Sequence, residues 1–181
     1  MKLKTIGAIS VASVLFTAAN ANAGNVLYDL YAGVTIGVGA ATQFADHHNN
    51  TENAQSYGAV VGLDIPVLRL ELEYNYMNSD IIKMHAGFVN LYAKMPSTVV
   101  HPYLGVGIGS VFGGDIDIPD IDIDGGTAYQ GMLGLTFDVP ALPIKIDAEA
   151  RATYAPDVYK IGDVKPDVLQ YEGRLKLRYI F

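Results

Sequence analysis

Apolar residues recur at every second position in eight separate stretches of this chain, the spacing of a β-strand with two unlike faces. The final stretch is the sharpest. Phe181, Tyr179, Leu177, Leu175, Gly173 and Tyr171 share one phase, and Ile180, Arg178, Lys176, Arg174, Glu172 and Gln170 share the other. One face is uncharged and its opposite is heavily charged. The remaining stretches are read as about 26–41, 57–65, 68–77, 85–94, 103–110, 129–139 and 144–154. In 68–77, Leu68, Leu70, Leu72, Tyr74 and Tyr76 oppose Arg69, Glu71, Glu73 and Asn75. In 144–154, Ile144, Ile146 and three alanines oppose Lys145, Asp147, Glu149, Arg151 and Thr153.

Eight strands of about ten residues predict an all-β fold, an antiparallel up-and-down transmembrane barrel. The connectors alternate in character. Those at Ile65–Val67, Pro96–His101 and Pro140–Pro143 are short and Pro-marked, and Pro sits where ladder bonding ends. Those at about 42–56, 78–83, 111–127 and 155–168 are expected to be long and to lie on the opposite side.

Charge follows phase. The charged faces hold Arg69, Lys94, Lys145, Arg151, Arg174, Lys176 and Arg178 against Asp29, Asp64, Glu71, Glu73, Asp138, Asp147, Glu149 and Glu172. The apolar faces hold no charge, as lipid exposure demands, since Lys or Arg at the bilayer midplane costs roughly 2–4 kcal/mol. Seven cations facing eight anions predict a paired lumen network, because unpaired buried charge is expensive. Strands one, two and five turn mostly Gly inward, leaving room for long side chains from strands three, seven and eight. An eight-strand interior is just wide enough for side chains to fill, so no wide pore is expected.

The start of the chain addresses it. Met1-Lys2-Leu3-Lys4 is basic, Thr5–Ala19 is uncharged and largely apolar, and Ala19–Ala23 offers two A-x-A sites. This is the anatomy of a secretory signal peptide over 1–23, with cleavage after Ala23, or after Ala21, and a barrel domain over 24–181. Losing Lys2 and Lys4 with the leader takes the formal net charge from −7 to −9. That balance argues against nucleic acid as a partner. The chain has no Cys, so neither a disulfide nor a lipoprotein anchor is available.

The rival is a soluble lipocalin-like binder, also eight-stranded, with its apolar face inside. Tyr57, Tyr76, Tyr129, Tyr154, Tyr171 and Tyr179 near strand ends favour the membrane barrel, as an interfacial girdle. The Ala-rich face of strand seven would also make a poor ligand core.

The leader, Pro102–Gly109 (PYLGVGIG), Ala128-Tyr129-Gln130-Gly131 running to Gly134, Asn90-Leu91-Tyr92 and the Arg174–Phe181 ending together resemble the small porin-family or OmpA/OmpX-type outer-membrane barrels of Gram-negative bacteria. The resemblance implies Sec-type export to the outer membrane and contact with its lipid and lipopolysaccharide. It implies periplasmic chaperones in transit. It also implies insertion by the barrel assembly machinery, which reads the terminal strand with Tyr179 and Phe181. A monomer acting in envelope structure or surface interaction is expected, with a narrow porin-like conduit as the alternative.

Candidate chemistry is sparse. Asp120, Asp122, Asp124 and Gly125 match the opening of a calcium loop, but Gly131 stands where its twelfth-position Glu belongs. Weak Ca²⁺ or Mg²⁺ binding there is weighed against a solvated Asp face. His47-His48 lacks a spaced third ligand. Glu71/Glu73 and Asp147/Glu149 could pass for acid–base pairs, yet they share strands with Arg69, Lys145 and Arg151 and read better as ion pairs. No enzyme and no cofactor are expected.

Overall fold

A computed structural model of the chain describes residues 28–45, 48–79, 82–97, 99–116, 126–156 and 167–181. They form β1 Asp29–Ala45, β2 His48–Asp64, β3 Leu68–Ser79, β4 Ile82–Lys94, β5 Val100–Ile116, β6 Thr127–Asp138, β7 Ile144–Ala155 and β8 Asp167–Ile180. Each strand pairs antiparallel with the next, and β8 returns to β1, closing an up-and-down barrel.

The strands outrun the apolar pattern. The stretch read as connector 42–56 is largely strand, β5 runs on to Ile116 into the stretch read as 111–127, and only 46–47 and 80–81 separate β1 from β2 and β3 from β4. Alternation stops where the outer face has no apolar surroundings to meet. The ladder does not stop there, because Ala45 still pairs with His48 and Ile82 with Ile116. Extending it keeps backbone N–H and C=O groups bonded. One register shift, between His85 and Ala86, leaves Phe112 as an extra residue in β5.

The opposite end is tied at 65–67, 95–97 and 139–143. Ile65 N–H donates to Leu68 O at 2.8 Å, and Val139 N–H to Ile144 O at 3.1 Å. Between Pro140 and Pro143, Ala141 takes a left-handed φ of 63°, a conformation that side chains with a Cβ rarely adopt.

Polarity runs inside out. Val38 is 68% exposed and Leu104 65%, whereas Arg69 and Arg178 are fully buried. The lipocalin arrangement, apolar within, is therefore not the one this chain adopts. The outer face between the two ends is a belt of Val, Ile, Leu and Ala. Tyr57, Tyr74, Tyr129, Tyr154 and Tyr171 stand exposed toward one end of it, and Tyr28, Phe137, Tyr179 and Phe181 toward the other.

Candidate functional site

Inward positions alternate with the belt, so every second residue of each strand enters the lumen. The side chains there form layers.

At the short-turn end, Asp64 gathers three cations. Lys94 pairs with it closely, Arg178 Nη1 lies at 3.1 Å and Lys145 Nζ at 3.4 Å. Beside it, Asp138 meets His101 Nε2 at 3.1 Å. Asp64, Lys94, Lys145, Asp138 and His101, with Asp29 and Thr136, line a cavity of about 390 Å³ that opens at this mouth.

Asp147 heads the next layer. Arg69 Nη1 donates to it at 3.1 Å, Arg178 Nε at 2.8 Å, and the Thr136 hydroxyl at 2.6 Å. Asp147 is the one ion-pair partner of Arg69 among the described residues. The Arg69 Nε and Nη2 atoms have no hydrogen-bond partner. Its guanidinium instead lies 3.9 Å from the Tyr92 ring centroid and 4.6 Å from that of Tyr103. Cation–π contact in a desolvated site partly replaces the missing bonds.

Higher up, Glu71 accepts from Lys176 Nζ at 2.7 Å, the Tyr31 hydroxyl at 2.7 Å and the Tyr92 hydroxyl at 2.8 Å. Glu149 accepts from Arg151 Nη2 at 2.7 Å and from the Tyr103 hydroxyl at 2.9 Å. Glu73 bridges Arg151, at 2.7 Å, and Arg174, and also accepts from Asn90 at 2.7 Å. Glu172 closes the set with Arg174 at 2.5 Å and Ser56 at 2.7 Å. Buried charge is tolerable when paired and hydrogen-bonded, and each carboxylate here is both.

Glycine supplies the room. A Cβ at Gly105 would press into the Tyr92 ring, and one at Gly134 would meet the Tyr103 hydroxyl at 2.5 Å. The inward Gly of β5 and β6 thus make space for the tyrosines that clamp Arg69.

The residues singled out from sequence fall as follows. Arg69, Glu71, Glu73, Asp147, Glu149, Arg151, Glu172, Arg174, Lys176 and Arg178 lie buried in the lumen, and Lys145 lies at its short-turn mouth. Tyr179 and Phe181 stand on the outer face with ring centroids 5.2 Å apart, edge to face. The Phe181 N–H donates to Leu30 O at 2.9 Å, at the β1–β8 seam. Asp120, Asp122, Asp124, His47 and the leader lie outside the described residues. Among the described residues, no group of three or more His, Cys, Asp or Glu is placed to hold a metal ion.

Two features escaped the sequence reading. Counting charges overlooked the phenols of Tyr31, Tyr92 and Tyr103, which donate to the carboxylates; their inward phase was the available signal. The second is an apolar layer inside the far end of the lumen, built from Met77, Met84, Phe88, Val111, Ala128 and Val168 with Ala54, Ala86 and Ala155. Met84, Ala86 and Phe88 share the phase of Asn90 and Tyr92, so it too was visible in the alternation.

No protein-family model matches the chain, and no curated protein sequence matches it. Solved structures do. Neisserial surface protein A superposes with a TM-score of 0.64 at 19% identity, over 84% of this chain and 97% of that one. The outer membrane enzyme PagL gives 0.57 at 14% identity, over 80% and 97%. The N-terminal β-barrel domain of Pseudomonas aeruginosa OprF gives 0.55 at 14% identity, over 82% and 97%. Closed eight-strand topology, an apolar exterior, an ion-paired interior and these superpositions agree: the chain has the fold of the small OmpA/OmpX-type outer-membrane barrels.

Proposed function

We propose that this chain is a monomeric outer-membrane barrel of a Gram-negative envelope, exported with its leader, and that it serves as a non-conducting scaffold for envelope structure or surface interaction. The observation that carries the reading is the lumen. Its carboxylates and cations are paired at hydrogen-bonding distance with phenols and amides filling between them. A conduit needs ions to bind weakly and leave, whereas groups already neutralised by close partners offer no such path. The outer belt supplies the membrane-facing surface, and the long-connector end is the one presented outward.

Partners follow from placement. The belt meets acyl chains and the upper tyrosines meet headgroups, including those of lipopolysaccharide. Tyr179 and Phe181, at the end of the closing strand, are assigned to recognition by the barrel assembly machinery, after passage through the periplasm with chaperones. Asp120, Asp122 and Asp124 are assigned weak Ca²⁺ or Mg²⁺ binding. A flat calorimetric trace with calcium, unaltered by Asp120→Asn with Asp122→Asn, removes that assignment. No catalytic role is assigned. His85 is engaged with the Tyr74 hydroxyl at 2.7 Å on the outer face, and His101 with Asp138.

Two measurements test the reading. Cell fractionation with heat-modifiable gel mobility should place a folded barrel in the outer membrane. Purified protein in planar bilayers should be electrically silent. A steady conductance that Arg174→Ala or Glu71→Ala alters would establish a channel instead.

A further inference from the structure

The ion network fills the middle of the lumen, but its far end is closed by different chemistry. Met77, Met84, Phe88, Val111, Ala128 and Val168 point inward, are all buried, and touch one another across the bore. They come from β3, β4, β5, β6 and β8, so the layer crosses the bore rather than lining one wall. Gly109 lets the Phe88 ring lie flat against β5, since a Cβ there would overlap both that ring and the Gly87 carbonyl. The residual cavity between this layer and Asn75, Thr153 and Gln170 beneath it is about 20 Å³, room for a single water. At the opposite mouth the 390 Å³ cavity is lined by charged groups and open.

We propose that the seal against water and ions at the long-connector end is this apolar layer, a hydrophobic plug, with the paired network beneath it and the open cavity only at the short-turn mouth. The inference rests on the reading of the chain as a membrane-spanning barrel. An apolar constriction excludes water by dewetting, and an ion entering it finds no partner to replace its hydration. Two of the plug residues are methionines, flexible enough to fill a bore without demanding a fixed shape.

The chain contains no Cys, so one introduced thiol reports alone. Gln170→Cys places it just beneath the plug, and Thr136→Cys places it on the open cavity. Full-length mature protein is inserted in one orientation into vesicles and exposed to Ag⁺, a small thiol-seeking cation. The expected result is that Thr136→Cys reacts from the short-turn side and Gln170→Cys is protected from the long-connector side. Adding Met77→Gln with Met84→Gln, which keeps side-chain length but admits water, should speed reaction of Gln170→Cys from that side by about tenfold or more, the effect of a barrier lowered by about 1.4 kcal/mol. Glu73→Gln with Arg174→Gln, leaving the plug intact, should not. Met84→Gln alone replaces the double change if that fails to fold by gel mobility. The plug is refuted if Gln170→Cys reacts equally with and without the methionine changes, or becomes reactive only when the ion pairs are broken. Failure of the barrel reading looks different: no heat-modifiable band, and both thiols reacting from either side.

Discussion

Replacing Asp147 by Asn should destabilise the barrel more than any other single neutralisation in the lumen. Asp147 and Arg69 are both fully buried, and their 3.1 Å contact is the one ion pair the structure gives Arg69. Arg178, which Asp147 also holds, keeps Asp64 at 3.1 Å when Asp147 is lost. Arg69 keeps the faces of Tyr92 and Tyr103 and the longer-range attraction of Glu71, with two of its nitrogens already unbonded. Breaking a buried pair by removing one partner costs about 3–5 kcal/mol, because the survivor is left uncompensated. Cation–π contact with the two rings is present with and without Asp147, so it does not offset that cost. The expected loss is therefore about 3–5 kcal/mol. Glu73→Gln should cost less, since Arg151 retains Glu149 and Arg174 retains Glu172. The assay is equilibrium urea unfolding in lipid vesicles, read by heat-modifiable mobility and tyrosine fluorescence. A double-mutant cycle with Arg69→Met isolates the pair and should return a coupling of about 2 kcal/mol. A loss below about 1 kcal/mol for Asp147→Asn, or a vanishing coupling, would mean that water reaches Arg69 and that the lumen is not the dry, paired interior described here.

Three further outcomes follow from the same geometry. Val106→Lys or Leu175→Lys, on the exposed belt, should cost about 2–4 kcal/mol in vesicles and far less at the strand ends, a depth profile that urea titration resolves. Gly105→Val should cost about 1–3 kcal/mol by forcing the Tyr92 ring off Arg69, while Gly173→Ala, with nothing within 4 Å of the new Cβ, should leave the unfolding midpoint unchanged. Deleting Phe181 removes a seam hydrogen bond and the ring contact with Tyr179, so refolding into vesicles should lose about 1–3 kcal/mol. Pulse-chase fractionation should show a much larger fall in cellular insertion if the aromatic end is the assembly signal.

The barrel was legible because lipid and lumen impose opposite chemistry on alternating positions. Leu175 and Lys176 could not exchange faces without cost, so the pattern in β8 was unambiguous. Legibility ended with the apolar surroundings. Residues 48–56 show no apolar alternation, yet β2 begins at His48 because its backbone pairs with β1 throughout. The charged lumen residues could be sorted inward one by one, but their partners could not. Nothing in the sequence says that Arg69 on β3 meets Asp147 on β7, across the bore rather than along a strand. The plug was obscured for a different reason. Val111 and Val168 sit in stretches taken for connectors, Met77 and Met84 at the edges of another, and apolar residues turned inward look like errors in a pattern whose rule is apolar outward.

The β1–β8 seam makes the molecule a ring in which sequence order is almost arbitrary. Phe181 bonds to Leu30 across the same ladder that joins every other neighbouring pair. A short tether from Phe181 back to Tyr28, with new ends cut at 46–47, should give the same cylinder with its strands renumbered. If that permuted chain refolds in vesicles yet fails to insert in cells, then the position of the opening in the ring instructs the cell and not the lipid.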